Sequence, residues 1–562
     1  MIFHQLNKFK EIKIKEQTST LLLKILFAVI LVAVVGYAIF YFALPAFNFR
    51  SPGFYLYISV LAIVGALPFL GLRVNHQKNK VKKGNRNYYQ SSYSVDYNKW
   101  TLLALIPLAV LILGLILSST FFNARSYAGV IEVKEADFAQ DLPETTEITN
   151  IALMDTASAT ILGNRTLGSL SDVVSQYTLN NYYTQINYQG SPKKVTTLEY
   201  DGFFKWAINN HKGIPGMVMV DPVKSSAEYV KFDEPVFYTE SGYFKDDLKR
   251  KLRFEYPTKI FQSISFEVDE NGQPFYIVSC AKPNVSLFGA MDINEVIIFN
   301  PINGESEIFS LENTPSWIDI VYTGDLACKK YDWQGELSGG FFNSIIGNVG
   351  CKHSTDDYGY IVIGDDVWYF TGVTSAVSND KSNIGFLLTN ARTGEYKFYS
   401  VIGAEEHSAM DAAEGEVQEK GYVASFPSLV NISGQATYIM VLKDDAGLVK
   451  LYALVNVENY SIVATGATQA DAMSAYKKLL KQNNIDIGAD TSVDITVENV
   501  RIALVSGVST VYITATDGKV YKGYLEADES LILVRNGDSI NISYTESDKK
   551  DIYIISSWSF RG

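Results

Sequence analysis

Cysteine is scarce in this chain, which has only Cys280, Cys328 and Cys351 among 562 residues. They form neither a CxxC pair nor a zinc-ligand spacing with histidine, which excludes the common structural zinc motifs. A small fold held by disulfides would use more cysteines. Cys328 and Cys351 are candidates for one disulfide, which would leave Cys280 free. The alternative interpretation is three small buried apolar residues.

Motifs for catalysis and cofactor binding are also missing. The sequence has no P-loop, no GxGxxG and no GxSxG in a supporting context. His211, His353 and His407 lie far apart and show no metal-binding spacing. The acidic pairs at 356–357 and 365–366 lack the DxDxD pattern of a calcium loop, so we interpret them as solvated hairpin ends. We therefore expect no metal, no cofactor and no enzymatic activity.

Acidic residues are rare at the start of the chain and abundant afterwards. Residues 1–122 contain 13 Lys+Arg and 3 Asp+Glu, and the remainder contains 35 and 58. An acidic remainder without a basic stripe argues against nucleic acid as a partner.

Nearly all the long apolar runs lie before residue 123. The runs 20–47, 54–72 and 101–122 each reach the roughly 20 residues that a helix needs to cross a bilayer. They predict a three-helix transmembrane anchor at 20–122. None has Asp, Glu, His or Arg near its centre, which argues against a transporter.

Lysine and arginine placement predicts the orientation of this anchor. The tail, residues 1–19, contains Lys8, Lys10, Lys13 and Lys15, and the loop 73–99 contains seven Lys+Arg against one acid. Both are predicted to be cytoplasmic. The chain from residue 123 onward would then lie outside the cytoplasm, in a multi-pass protein of the cell membrane.

The extracytoplasmic part is predicted to be β-rich. Tyr, Val, Ile, Phe and Thr alternate with turn signals, which is typical of short antiparallel strands. The juxtamembrane region, 123–210, is predicted to mix helix with strands near 130–132 and 151–153. The helical windows are 165–178, 199–210, 405–419 and 467–483.

One pattern recurs four times within 211–484. Each copy is a strand, an Asp or Asn, a turn and a second strand, and the copies lie at 218–230, 297–309, 386–399 and 452–463. Asn and Gly tolerate the positive φ of tight turns, and an Asn or Asp side chain caps the turn backbone. We therefore predict tandem α+β repeats in which a helix covers each small sheet.

The turn sequences Asn-Ala-Arg-Thr-Gly-Glu at 390–395 and Asn-Pro-Ile-Asn-Gly-Glu at 300–305 resemble the D-x-x-T-G-E hairpin of PepSY-type modules. The chain resembles membrane-anchored bacterial proteins that carry such modules in tandem outside the cell. The resemblance implies a helix packed on an antiparallel sheet, and a role in binding, restraining or positioning envelope enzymes. It supplies no catalytic residues.

The last segment, 485–562, is predicted to be a separate small β-barrel. Short strand patterns, six or seven in number, lie at 495–497, 501–504, 510–516, 520–525, 531–534, 539–544 and 552–556, with a tight turn at Asp517 and Gly518. A closed barrel of the OB-like or SH3-like kind removes exposed strand edges.

Asp155 is the sharpest catalytic candidate. The string Leu-Met-Asp-Thr-Ala at 153–157 resembles the D-T-G of aspartic peptidases, but Ala157 replaces the glycine and no second copy exists. Such an enzyme needs a second carboxylate to share a proton with the first. The alternative interpretation is that Asp155 and Thr156 cap a turn.

The sequence as a whole predicts an α+β membrane protein. Its expected function is that of a non-enzymatic envelope scaffold or regulator that contacts the lipid bilayer and binds an envelope protein. One alternative is a structural subunit of a larger membrane complex, either homo-oligomeric or built with other proteins. The other is an envelope peptidase that uses Asp155.

Overall fold

The computed structural model describes residues 2–69, 73–83, 86–96, 99–145, 151–376, 382–485, 491–505, 508–525, 528–546 and 552–561. The helices are α1 (Ile2–Ala43), α2 (Pro52–Ala66), α3 (Ile106–Leu117), α4 (Thr120–Ala128), α5 (Phe138–Asp141), α6 (Thr156–Gly168), α7 (Ser171–Val174), α8 (Phe203–Asn209), α9 (Leu248–Glu255), α10 (Gly324–Leu337), α11 (Glu406–Glu416) and α12 (Gln469–Gln482). The strands are β1 (Arg73–Lys83), β2 (Arg86–Asp96), β3 (Val133–Ala136), β4 (Tyr177–Leu179), β5 (Thr184–Tyr188), β6 (Ser191–Tyr200), β7 (Ile214–Asp221), β8 (Ser226–Val236), β9 (Ile260–Val268), β10 (Pro274–Val285), β11 (Gly289–Phe299), β12 (Ser306–Ser310), β13 (Lys352–Ser354), β14 (Gly359–Ile363), β15 (Asp366–Ser375), β16 (Ser382–Asn383), β17 (Gly385–Asn390), β18 (Tyr396–Tyr399), β19 (Gly403–Ala404), β20 (Val423–Ala424), β21 (Ser428–Ile432), β22 (Gln435–Lys443), β23 (Val449–Asn456), β24 (Val463–Gly466), β25 (Thr491–Val505), β26 (Val508–Ala515), β27 (Val520–Tyr524), β28 (Ser539–Glu546) and β29 (Ile552–Phe560).

The chain divides into two compact units. Unit 1 comprises Met1–Asn123, Asp247–Phe261 and Cys280–Asp292, and unit 2 comprises Ala124–Asp246, Gln262–Ser279 and Ile293–Gly562.

The prediction of three transmembrane helices is wrong. Among the described residues one helix, the Leu22–Ala43 part of α1, is long and apolar enough to cross a membrane. Helix α2 has only 15 residues, because the chain tightens into a 3₁₀ turn at Leu67–Phe69. A helix of this length reaches about 22 Å, which is less than the hydrocarbon core of about 30 Å. Residues 70–72 of the predicted second helix lie outside the described residues.

The predicted third helix is broken. Leu102–Leu117 and Thr120–Ala128 are bent by 54° relative to each other, and the pair amounts to a second candidate span only if it is counted as one. At the break, the Asn123 side chain donates a hydrogen bond to the Leu117 carbonyl at 2.6 Å. An apolar run long enough to cross therefore does not guarantee an unbroken helix.

Unit 1 packs segments that are distant in sequence onto its helices. Arg250 of α9 donates from Nε to the Tyr41 carbonyl at 3.2 Å, which satisfies one of the free carbonyls at the end of α1. Phe288, in the turn between β10 and β11, stacks on Tyr55 of α2 with ring centroids 5.5 Å apart. Gly114 of α3 leaves room for that ring, because a Cβ there would collide with it.

The predicted loop 73–99 is a β-hairpin over its described residues. Strands β1 and β2 pair antiparallel, from Arg73 opposite Asp96 to Lys83 opposite Arg86.

The remaining strands form sheets that confirm a β-rich fold. One has the order β4-β6-β7-β8 with β5 also on β6, and the second has the order β12-β11-β10-β9. The third runs β13-β15-β17-β18-β3 with β14 also on β15, and the fourth runs β20-β22-β23-β24 with β21 also on β22. A two-stranded sheet joins β16 and β19. The predicted domain boundary at residue 210 lies between β6 and β7, which are paired in the first of these sheets.

The four predicted hairpins are confirmed as β7–β8, β11–β12, β17–β18 and β23–β24. In each, the side-chain oxygen of the last Asp or Asn accepts a backbone N–H two or three residues later; these caps are Asp221, Asn300, Asn390 and Asn456. Gly394 has φ +72°, a conformation that a Cβ would strain. The turn chemistry predicted from sequence is therefore the chemistry that closes the hairpins.

Several elements differ from their predicted positions. Helix α6 begins at Thr156 rather than 165, and residues 151–153 form no strand. The strand predicted near 130–132 is β3, which pairs in parallel with β18. That pairing joins segments that are distant in sequence, and it outweighs local propensity.

The C-terminal barrel is confirmed as a closed sheet of five strands in the order β25-β26-β27-β29-β28. Two predicted strands merge into β25, which carries an irregularity between Val497 and Asn499. The predicted strand 531–534 is mostly a 3₁₀ turn, Glu529–Leu533. Residues 486–490, at the predicted start of this domain, lie outside the described residues. Buried Ile495, Val511 and Tyr521 contribute to the barrel core.

Candidate binding surface

The segment that follows α10 exposes a dense group of large apolar side chains. Phe342, Ile345, Ile346 and Val349 are 68%, 60%, 79% and 80% exposed. We call residues 341–349 the apolar loop. Single exposed apolar residues are normal, but a contiguous group marks an interaction site on many proteins.

The apolar loop is held by its own hydrogen bonds. Asn343 donates from Nδ2 to the Val349 carbonyl at 2.9 Å and accepts the Val349 N–H at 3.2 Å. The Asn348 N–H donates to the Asn343 carbonyl at 2.7 Å, and Asn348 adopts the left-handed conformation that asparagine tolerates. The exposed side chains therefore stand on an ordered backbone.

The base of the loop is fixed to α10 by a cysteine. Buried Cys351 donates from Sγ to the Glu336 carbonyl at 3.4 Å. All three cysteines are free thiols in the structure, so the predicted Cys328–Cys351 disulfide is not formed. Burial, with the nearby Asp332 carboxylate, raises the pKa of Cys328 to about 12, which makes that thiol unreactive.

A second exposed surface lies on α8, inside the predicted helical window 199–210. We call it the aromatic surface; its exposed members are Phe203, Phe204, Ile208, Tyr243 and Phe244. Phe204 is 79% exposed and Ile208 is 64% exposed. Beneath them, buried Trp206 donates from Nε1 to Asp246 at 3.2 Å, which fixes the ring on which Phe203 packs.

Asp155 is the N-cap of α6, so it caps a helix rather than the turn that the alternative interpretation placed there. Its side chain accepts the Ser158 N–H at 2.8 Å and forms an ion pair with Lys443 Nζ at 2.6 Å. Burial acts to raise the pKa of Asp155, but the hydrogen bonds from Lys443 and Ser158 outweigh it and lower the pKa. A peptidase dyad would place a second carboxylate where the structure has a lysine.

Two cavities lie beside residues 152–158. One, of about 240 Å³, is mainly apolar and is lined by Leu153, Ile161, Val441 and Tyr452 among others. The other, of about 220 Å³, is lined by Asp155, Lys194, Gln185 and two tyrosines among others. Sequence inspection did not indicate either cavity, because their walls come from distant parts of the chain.

The remaining predicted candidates lie on different elements of the fold. His407 Nε2 of α11 lies 3.4 Å from the exposed Asp357 carboxylate, and His353 of β13 contacts the Thr374 hydroxyl at 3.2 Å. Asp366 is paired with Arg392 at 2.7 Å. Within the ranges that the structure describes, no three His, Cys, Asp or Glu side chains are grouped as metal ligands.

In comparisons with known proteins, no protein-family model and no curated protein matches this chain.

Proposed function

We propose that this chain is a non-enzymatic, membrane-anchored scaffold or regulator that binds a partner protein outside the cytoplasm. The observation that carries the proposal is the apolar loop, whose four large side chains are exposed on an internally hydrogen-bonded backbone. An ordered loop loses little conformational entropy on binding, so its apolar contacts contribute fully to affinity. The likeness of the hairpin turns to PepSY-type modules supports the same role.

The proposed anchor is α1. Its segment Leu22–Ala43 is long and apolar enough to cross a membrane, and the residues before it contain Lys8, Lys10, Lys13 and Lys15. A basic flank favours the cytoplasmic side. A single crossing by α1 would leave the acidic remainder of the chain outside.

The partner is proposed to be a protein because interface cores are enriched in aromatic and aliphatic anchors. The aromatic surface on α8 supplies a second group of such anchors. Both surfaces carry side chains of the size that fills pockets on a partner.

The test uses the full chain, purified from its native membrane in mild detergent. The triple variant Ile345→Ser, Ile346→Ser, Val349→Ser should lower partner recovery at least tenfold, as measured by quantitative mass spectrometry. Ile402→Ser is the matched control, because Ile402 is an exposed apolar residue, 69% exposed, outside both surfaces. Equal recovery by the triple variant and the control would refute the role of the loop. Light scattering of the same samples detects the other outcome, in which the loop joins copies of this chain.

Topology is tested separately in intact cells. A cysteine placed by Glu419→Cys, in a background with the three native cysteines changed to Ala, should react with a membrane-impermeant maleimide. Reaction only after permeabilisation would place unit 2 inside and overturn the proposal.

A further inference from the structure

The cavity of about 220 Å³ contains a buried lysine that lacks a carboxylate partner. Lys194 of β6 is 4% exposed. Its Nζ lies 3.4 Å from the Thr156 hydroxyl and 5.1 Å from the centre of the Tyr360 ring. Among the described residues, no carboxylate is within ion-pair distance of this amine. Burial lowers the pKa of Lys194 to about 8, partly opposed by the charge of Asp155.

A second buried donor lies directly across the sheet. Gln185 of β5 is the register partner of Lys194, so both side chains project from the same face. Gln185 is 3% exposed, and its Nε2 finds no hydrogen-bond acceptor in the described part of the chain. Unsatisfied buried donors are rare in native proteins and call for an explanation.

The nearby ion pair does not neutralise Lys194. Asp155 is already engaged by Lys443 at 2.6 Å, and the other lining acid, Asp357, is exposed and lies beside His407, so neither carboxylate forms an ion pair with Lys194. A buried cation without a counter-ion is costly, and an anion in the cavity would remove that cost.

We propose that this cavity binds a small monoanionic carboxylate with an apolar body. The carboxylate oxygens would accept hydrogen bonds from Lys194 Nζ and Gln185 Nε2. Tyr358, Tyr360 and Phe426 line the cavity and would pack on the apolar body. The volume corresponds to about seven water molecules at about 30 Å³ each, which suits a ligand the size of an amino acid. The inference does not depend on the proposed protein partner.

The charges around the cavity favour a carboxylate over a phosphate. Asp155 and Asp357 both line the cavity. A dianion would therefore be repelled by two carboxylates and attracted by one unpaired lysine, Lys194. The second dissociation of a phosphate near pH 6 makes it largely dianionic at neutral pH.

The test is calorimetric titration of the full chain in detergent at pH 7. The probes are N-acetyl-L-leucine, its uncharged amide, the peptide acetyl-Ala-Ala-Leu with a free carboxyl end, and inorganic phosphate. The acid or the free-ended peptide should bind, and the amide at least tenfold more weakly. Binding of the peptide alone would identify a chain terminus as the ligand, whereas binding of the acid would identify a free metabolite.

Variants connect that binding to the cavity. Lys194→Met and Gln185→Leu should each weaken binding of the acid or the peptide at least tenfold. Lys193→Met is the matched control, because Lys193 is the adjacent residue and is ion-paired with Asp221 at 2.6 Å. Thermal unfolding of each variant establishes that it is folded. No binding of either carboxylate, equal binding of the amide, tighter binding of phosphate, or unchanged binding by Lys194→Met would each overturn the proposal.

Discussion

Unit 2 contains two buried charged clusters that differ in the sign of their excess charge. One joins Glu267 and Asp319, which are 0% and 3% exposed. The other contains Lys194 and Asp155, which line the polar cavity, and Lys443, which is ion-paired with Asp155. Both place ionisable groups where ions are costly, yet one cluster is satisfied by the chain itself and the other is not.

The acidic cluster is satisfied by backbone donors. The Asp319 N–H donates to Glu267 Oε2 at 2.8 Å, and the Ile320 N–H donates to Oε1 at 3.1 Å. Asp319 in turn accepts the Asn187 N–H at 2.8 Å. Burial raises the pKa of Glu267, and burial together with the charge of Glu267 raises the pKa of Asp319. Proton uptake can therefore remove the excess charge.

The difference follows from the hydrogen-bonding capacity of the two side-chain types. A carboxyl group accepts from backbone N–H groups and becomes neutral by gaining a proton. A lysine only donates, so it needs an acceptor from elsewhere. We therefore interpret the acidic cluster as structural, in contrast to the binding role proposed for the basic cluster.

Glu267→Ala should lower the free energy of unfolding by about 4 kcal/mol. It leaves two buried backbone N–H groups without an acceptor, at roughly 1–3 kcal/mol each, and opens a cavity. Urea unfolding followed by tryptophan fluorescence measures this loss. Exposed Glu419→Ala serves as the control and should change stability by less than about 0.5 kcal/mol. A loss below about 1 kcal/mol would show that these donors find other acceptors.

Lys443→Met should lower stability by about 2 kcal/mol at pH 7, because it removes the charged hydrogen bond that Lys443 donates to the Asp155 carboxylate. The side chains of this pair are 13% and 24% exposed, so the loss is smaller than for a fully buried pair. Lys450→Met removes the more exposed partner of Asp444 and should cost less than about 0.5 kcal/mol.

Low pH tests whether the ion pair between Lys443 and Asp155 causes this loss of stability. The pKa of Asp155 is lowered in the folded chain, so its contribution is present above its unfolded pKa and is lost as pH falls through the folded value. The difference between Lys443→Met and the unmodified chain should therefore shrink in acid. A difference that stays constant down to about pH 2, below the usual carboxyl range, would contradict the ion pair as its cause.

Asp319→Asn should raise the free energy of unfolding by about 1.5 kcal/mol at pH 8, which corresponds to about one unit of pKa. The pKa values of Glu267 and Asp319 are raised in the folded chain. Above about pH 4, the folded chain therefore retains protons on this pair that the unfolded chain has already released. Stability therefore falls as pH rises through this range. The amide keeps an acceptor for the Asn187 N–H and removes the charge, so the gain should vanish near pH 4. Unfolding curves at pH 4, 6 and 8 measure it; a gain independent of pH would be inconsistent with this account.

Lys194→Met should have the smallest effect, a gain of up to about 1 kcal/mol at pH 6. It replaces a buried cation that has no counter-ion with an apolar side chain of similar length, a change that is often neutral or stabilising. The lowered pKa of Lys194 means that charging this amine opposes folding, so the gain should be smaller at pH 9. A loss of several kcal/mol would show that the chain itself satisfies this amine.

Local chemistry explains which parts of the fold were predictable. Asn300 and Asn390 close their turns through their own side chains, so the hairpins depend on residues a few positions apart. The barrel strands alternate over short spans in the same way. In contrast, the sequence pattern missed α9 and α10, and Gly324 at the start of α10 is a poor helix former.

The candidate sites were mostly not predictable. No sequence motif singled out Phe342 and Ile346, and their exposure became apparent only in the folded loop, whose backbone the hydrogen bonds of Asn343 hold. The aromatic surface was anticipated only as a helical window. Asp155 was singled out for catalysis, but its partner Lys443 is distant in sequence and changes its interpretation.

The amino-acid sequence was enough to predict the β-rich character, the capped hairpins, the closed terminal sheet and an apolar helix near the amino end, since each depends on neighbouring residues. The folded structure was needed to establish how many helices are long enough to cross a bilayer, which apolar side chains stay exposed, and that Lys194 is buried beside Gln185 without a counter-ion. Those outcomes depend on burial and pairing between distant segments, whose free energy no local pattern encodes.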